Sequence, residues 1–326
     1  MIDQFKRDIN YIRISVTDRC NLACVYCMPK DGAVFLPKSE ILTFEEIIRL
    51  CRCFARLGIK HVKITGGEPL VRKDIISLVG EMKRLEGISR VTLTTNGALL
   101  MEHLPGLIEA GLDGVNISLD TLISDRYKEI TRRDCFHQVY SAIEEAVKYN
   151  ELQVKINCVP MADTLEEDIK GLAGLARRNR LSVRFIEMMP IGLGRNYTFC
   201  KEEELRALIT HTYGEMTPIS SAKGGGPANY YSLPGFVGSI GFISAMSHKF
   251  CNECNRIRLT ADGYLKTCLQ YEKGWDLKSI LRRETSDVTL ERAIALGIYG
   301  KPDGHSFHTP QYPEYYEQEY MSQIGG

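Results

Sequence analysis

The chain of 326 residues lacks any excess of charge: Lys plus Arg and Asp plus Glu each number 41, for a formal net charge of zero. That balance gives no reason to expect nucleic acid or an anionic membrane as a partner, so any anion site must be local. A long apolar run is missing too. The N-terminus, MIDQFKR, has no stretch of the signal-peptide kind, and no later run approaches the roughly 18 apolar residues of a membrane span. The expectation is a cytoplasmic protein. Repeats beyond strand and helix units are absent, as are low-complexity tracts. No Gly-rich dinucleotide fingerprint follows the first strand pattern, which argues against a Rossmann sheet. Composition is ordinary for a globular chain, with 44% hydrophobic and 25% charged residues.

The most informative shortage is a fourth cysteine. The stretch CNLACVYCMP carries Cys20, Cys24 and Cys27 in a Cys-x3-Cys-x2-Cys spacing. Four thiols would close a tetrahedral metal site, and two would suit a disulfide or redox switch. Three can ligate three irons of a 4Fe-4S cubane and leave the fourth iron open to a ligand. A zinc site completed by a distant residue, or plain buried thiols, are the alternatives. A second trio follows the same arithmetic: Cys251, Cys254 and Cys268 in FCNECNRIRLTADGYLKTCL. Zinc is again an alternative, with His248 as the fourth ligand. Between these cysteines sit Arg256 and Arg258, which alternation along a strand places on one face, and guanidinium forks suit phosphate. Disulfides are rare in a reducing compartment, so the remaining cysteines, Cys51, Cys53, Cys135, Cys158 and Cys200, read as packing residues.

Six short β-rich runs recur: 11–16, 61–65, 90–94, 114–119, 153–159 and 182–186. Amphipathic helical patterns lie between them, at 44–58, 74–85, 103–112, 137–150 and 166–178. Such alternation predicts a parallel sheet with right-handed crossovers, and six units favour a partial (β/α)6 TIM-like barrel. The cysteine loop, Gly66-Gly67-Glu68-Pro69, Thr95-Asn96-Gly97, Ser118 to Asp120, and Met188-Met189-Pro190 all fall at strand C-terminal ends, the active face of such barrels. The expected units are residues 1–195, the barrel, and 196–326, a C-terminal region with the second trio. Alternation stops near residue 195; FVGSIGFIS (236–244) reads as one or two antiparallel strands, and the tail from Gly300 as an extended segment over the body.

The first trio together with Gly-Gly-Glu-Pro resembles the radical S-adenosylmethionine (SAM) superfamily. Adding TTNG, NISLD, RFIEMMP, the second cysteine group and the terminal MSQIGG, nearly the whole chain resembles the GTP 3′,8-cyclase family of molybdenum cofactor biosynthesis. The resemblance implies two 4Fe-4S clusters, facing each other across one cavity and bound by the six clustered cysteines, with SAM on the first cluster and the guanine of GTP on the second. It implies SAM contacts at Tyr26, Gly67, Ser118 and Met189. It implies GTP contacts at Arg13, Lys63, Thr94, Lys155, Arg256, Ile257 and Arg258; at position 63 arginine is a common alternative in the family. Catalytic roles fall to Arg13, Arg256, Arg258 and the Gly325-Gly326 tail, expected to reach into the cavity. Implied partners are GTP, a reductant protein, the downstream cyclic pyranopterin monophosphate synthase, and a second copy in a homodimer. Competing readings are a two-cluster radical SAM enzyme acting on a peptide, for which the N-terminus shows no leader-binding extension, and a non-catalytic iron-sulfur or zinc protein.

Overall fold

The structure, a computed structural model, describes residues 1–220, 225–272, 274–283, 286–307 and 317–325. Six parallel strands form its centre: β1 (Tyr11–Ser15), β2 (His61–Thr65), β3 (Arg90–Thr95), β4 (Gly114–Ser118), β5 (Gln153–Cys158) and β6 (Leu181–Ile186). Helices α1 (Phe44–Arg56), α2 (Ile75–Lys83), α3 (Leu100–Glu109), α4 (Ser124–Thr131), α5 (Phe136–Ala146) and α6 (Glu166–Arg178) connect them. The α/β reading therefore holds, with strand ends within a residue or so of the sequence pattern. Helix α4 has no counterpart in the pattern reading; its SDRYKEIT is mostly polar and buries only Tyr127, Ile130 and Thr131.

Period-two alternation sorts each strand's side chains. Ile12, Ile14, Val62, Ile64, Val91, Leu93, Val115, Ile117, Val154, Ile156, Val183 and Phe185 are almost wholly buried, and they join the helices' apolar residues in one core. The opposite faces carry Arg13, Lys63, Thr94, Asn116, Lys155 and Arg184, which line a cavity. A barrel interior is normally filled by branched apolar side chains. Here polar and cationic residues leave room for a ligand.

The chain after residue 195 joins this same sheet at both edges. After α7 (Glu202–Tyr213) come β7 (Thr217–Ile219), β8 (Asn229–Ser232) and β9 (Ser239–Ile243); then β10 (Arg256–Leu259), β11 (Tyr264–Lys266) and β12 (Trp275–Asp276), followed by α8 (Leu277–Arg283), α9 (Asp287–Tyr299) and α10 (Met321–Ile324). The order is β12-β11-β10-β1-β2-β3-β4-β5-β6-β9-β8-β7, an open sheet rather than a closed barrel. The 236–244 run thus forms one strand, antiparallel to β8 but parallel to β6, with Val183 opposite Ile240. The alternation missed this because the crossover from β6 to β9 contains the β7–β8 hairpin as well as a helix. The tail is likewise not wholly extended, since Met321–Ile324 forms a short helix. Among the described residues, no helix is long and apolar enough to cross a membrane.

Candidate functional site

The first cysteine loop leaves the end of β1 and is held by the turn after β2. Gly67 N donates to Thr17 O (2.7 Å) and Glu68 N to Arg19 O (2.8 Å). A Cβ on Gly67 would lie 2.4 Å from Arg19 O, so only glycine lets the turn approach the loop this closely. Gly67 therefore packs against the cysteine loop and also lines the cavity. The Glu68 carboxylate accepts from Thr95 Oγ1 (2.8 Å), Asn96 N (2.6 Å) and Leu70 N (3.0 Å), tying β2 to β3. Burial outweighs those bonds and raises its pKa to about 7. Asn96 in turn donates to Asn21 Oδ1 (2.8 Å) and reaches Cys20 Sγ (3.7 Å). Tyr26 donates to Asp120 Oδ2 at 2.6 Å, and Asp120 also accepts from Val159 N.

Cys20, Cys24 and Cys27 all line the cavity, whose volume is about 320 Å³, and neither trio contains a disulfide. Burial pushes the Cys20 thiol up to about 11 and Cys27 to about 12, and drives Cys24 well upward with help from Cys27 and Asp120. Among the described residues, no three His, Cys, Asp or Glu side chains are arranged around a single metal ion. A cubane takes one thiol per iron, so its cysteines need not converge on one point. The donor set is soft and N–H groups surround it, with Leu22 N 3.4 Å from Cys20 Sγ, so these residues fit a cluster.

The wall beyond the thiols is cationic: Arg13, Lys63, Arg90, Lys155, Arg184, Arg256 and Arg258 line the same cavity. Register explains the gathering. Arg13 lies opposite Lys63 on one side and Arg258 on the other. The carboxylates lining the cavity are engaged structurally, Glu68 and Asp120 as above and Glu187 by Met246 N and Ser247 N. Among the described residues, Lys63, Arg184, Arg256 and Arg258 form no ion pair with a carboxylate. Burial depresses the Lys63 pKa well below its usual value, with Arg184 and Arg13 adding to the effect; Arg258 falls likewise, by burial and then Arg13. Lys155 drops to about 7 through burial, Arg184 and Arg90. So many mutually repelling, desolvated cations call for an anion of several charges.

Thr94, Gly67, Ser118 and Met189, named in the sequence reading, also line this cavity. Two expectations are placed differently. Ile257 pairs with Ile12 and its side chain sits in the apolar core, because alternation turns it away from Arg256 and Arg258; only its backbone could face a ligand. Cys251, Cys254 and Cys268 do not line the cavity; from their side Arg256 and Arg258 reach it. Gly326 lies outside the described residues, whereas Gly325 O accepts from Arg258 Nη1 (2.9 Å) and Thr65 Oγ1 (3.3 Å), and Met321 and Ser322 line the cavity.

The second trio is knitted by cations. Arg7, buried and paired with Asp3, donates to Cys251 O (2.9 Å) and to Pro302 and Asp303 O (both 2.7 Å). Lys301 Nζ donates to Arg256 O (2.9 Å) and Thr267 O. Although burial raises it, Cys254 is brought down to about 7 by Arg256 and Lys301. His248 contacts Ser247 Oγ (3.4 Å) and Glu202 (3.7 Å). Three thiols beside cations fit a second cluster as well. Sequence reasoning missed Arg184 and Arg90. Arg184 carries the signal that marks Arg13, Lys63 and Lys155, a basic residue inside an otherwise apolar strand.

Comparisons with known proteins agree with this geometry. Residues 14–176 match the radical SAM superfamily, and residues 181–307 match Molybdenum Cofactor Synthesis C. GTP 3′,8-cyclase of Clostridium perfringens (strain SM101 / Type A) is 42% identical over 326 residues, covering all of both chains. That of Heliobacterium modesticaldum is 43% identical over 329 residues, again covering both chains fully. Streptococcus suis SuiB bound to S-adenosylmethionine shares the fold, with a TM-score of 0.63 at 16% identity over 95% of this chain and 76% of that one. The chain belongs to the GTP 3′,8-cyclase family of radical SAM proteins.

Proposed function

We propose that this protein is a lyase-type radical SAM GTP 3′,8-cyclase. It converts GTP to (8S)-3′,8-cyclo-7,8-dihydroguanosine 5′-triphosphate, the first step of molybdenum cofactor biosynthesis. The observation that carries this reading is one cavity lined at one end by three thiols and along its wall by seven cations. Cys20, Cys24 and Cys27 would hold a 4Fe-4S cluster with SAM, and Cys251, Cys254 and Cys268 a second 4Fe-4S cluster. When bound, the first cluster and SAM would supply radical hydrogen-abstraction chemistry at the ribose 3′ position, with the electrons it consumes coming from the reductant protein.

The chain's own residues hold and orient. Arg13, Lys63, Lys155, Arg256 and Arg258, with Thr94, bind the tetra-anionic triphosphate and nucleoside, and Arg184 shares that load. Tyr26, fixed by Asp120, flanks the adenine, while Gly67, Ser118 and Met189 bound the SAM site. The tail, carrying Gly325, closes against Arg258 and fixes its guanidinium. In this arrangement residues 1–195 hold the first cluster, SAM and most of the cationic wall, and residues 196–326 add the second cluster, Arg256, Arg258 and the tail. A cytoplasmic setting, a reductant protein, a cyclic pyranopterin monophosphate synthase that consumes the product, and a homodimer complete the proposal.

The test is anaerobic. Clusters are reconstituted, dithionite, SAM and GTP are added, and 5′-deoxyadenosine and cyclised GTP are followed by mass spectrometry. Both products are expected, each requiring GTP and SAM. Deoxyadenosine without cyclised GTP would point to another substrate, and the peptide reading would then return.

A further inference from the structure

The segment from Glu317 to Gly325 is fastened at both ends. At the far end Gly325 O accepts from Arg258 and Thr65, with Met321 and Ser322 lining the cavity. At the near end Glu317, 2% exposed, forms an ion pair with Lys266, 4% exposed. Glu317 N donates to Gln270 O (2.6 Å), and Arg195 Nη2 donates to Glu317 O (3.1 Å). Between the two ends the chain crosses Gly192, where an added Cβ would meet Glu319 O at 3.1 Å.

Two features distinguish the near end. A buried ammonium and carboxylate depend on each other, because either one alone is a desolvated charge. And the anchors, Lys266 and Gln270, stand two residues before and two residues after Cys268. The tail is therefore tied to the segment that carries the third thiol of the second trio.

We infer that Glu317 is a positioning residue: its pairing with Lys266 docks the C-terminal tail in the cavity and couples that docking to the Cys268 segment. Glu317 is not among the residues lining the cavity, so it acts through the tail. The docking stands on geometry alone; its consequence for product formation rests on the cyclase reading.

The experiment uses full-length, cluster-loaded protein and compares wild type with Glu317→Gln, Glu317→Asp and Lys266→Met. Hydrogen exchange at Met321–Ile324 is expected to speed up at least about tenfold in Glu317→Gln and Lys266→Met, while Ile12 and Ile14 of β1 stay slow. Cyclised GTP formed per 5′-deoxyadenosine is expected to fall about tenfold in the same variants, since a loosened tail spares radical formation but not substrate positioning. Glu317→Asp keeps the charge on a shorter stem and should give intermediate tail exchange, which also serves if Glu317→Gln fails to fold. Wild-type tail exchange in these variants overturns the inference. So does core exchange that rises in step with the tail, which would mark fold support only. If wild type itself makes no cyclised GTP, the cyclase reading fails and the exchange result alone decides the docking.

Discussion

Around Cys20, Cys24 and Cys27, burial leads and the nearby charges are thiols and carboxylates, Glu68 beside Cys20 and Asp120 beside Cys24. Around Cys254 burial is just as real, but Arg256 and Lys301 overcome it. Burial raises Cys268 at the second site too, so the contrast rests on Cys254, which the neighbouring cations bring down to about 7. Metal loading must displace protons in both sites.

The widest separation comes from deleting one thiol at each site. Cys20→Ala should abolish SAM cleavage and remove about half of the iron, since each trio serves its own cluster. Cys254→Ala should also lose about half the iron yet still release 5′-deoxyadenosine. Iron analysis beside deoxyadenosine assays checks both, and loss of both clusters from either change would mean the sites are not independent.

Alkylation sharpens the contrast without metal. In reduced, cluster-free protein at pH 7, Cys254, with a pKa of about 7, should react with iodoacetamide at least about a hundredfold faster than Cys20 or Cys27, at about 11 and about 12. Peptide mapping reads the rates, and equal labelling would break the comparison.

Arg256 also belongs to the cationic wall of the cavity, and another member of that wall, Lys155, makes a pH test. Lys155, at about 7, is depressed below its ordinary value, so free protein loses this charge as pH rises through 7. A bound polyanion favours the charged form, and binding above pH 7 then takes up a proton. The KM for GTP should rise with pH by up to about tenfold per unit above 7, and this slope should flatten in Lys155→Met. A slope that persists in the variant assigns the titration to another group.

The smallest effects come from the glycines beside each loop. Gly67→Ala places a Cβ 2.4 Å from backbone and should destabilise the protein by about 1–3 kcal/mol with poorer iron retention at the first site. Gly304→Ala meets Cys251 Cβ at 3.0 Å and should cost about 1 kcal/mol or less, confined to the second site. Denaturant melts of the two variants test the order.

Much of this was legible locally. Cysteine spacing is a statement about neighbours in the chain, and both trios could be read without a fold. Strand and helix alternation likewise rests on periods of two and 3.6 residues, so the six central strands emerge nearly intact. The same period puts Arg256 and Arg258 on one face, and it also predicts that Ile257 turns away, as it does into the core.

What the sequence by itself determined is therefore the chemistry: which thiols cluster, which arginines share a face between them, and which family these strings resemble. The tertiary structure alone decided how those parts meet. Register brings Arg13, Lys63 and Arg258 side by side although they lie up to hundreds of residues apart, and β9 and β10 extend both edges of one sheet. It also sets the second trio behind its arginines and gives Gly67 to the cysteine loop. The physical reason is range. Periodicity and spacing are fixed by local backbone geometry, whereas register and close approach arise only when distant strands pair and their side chains compete for one interior.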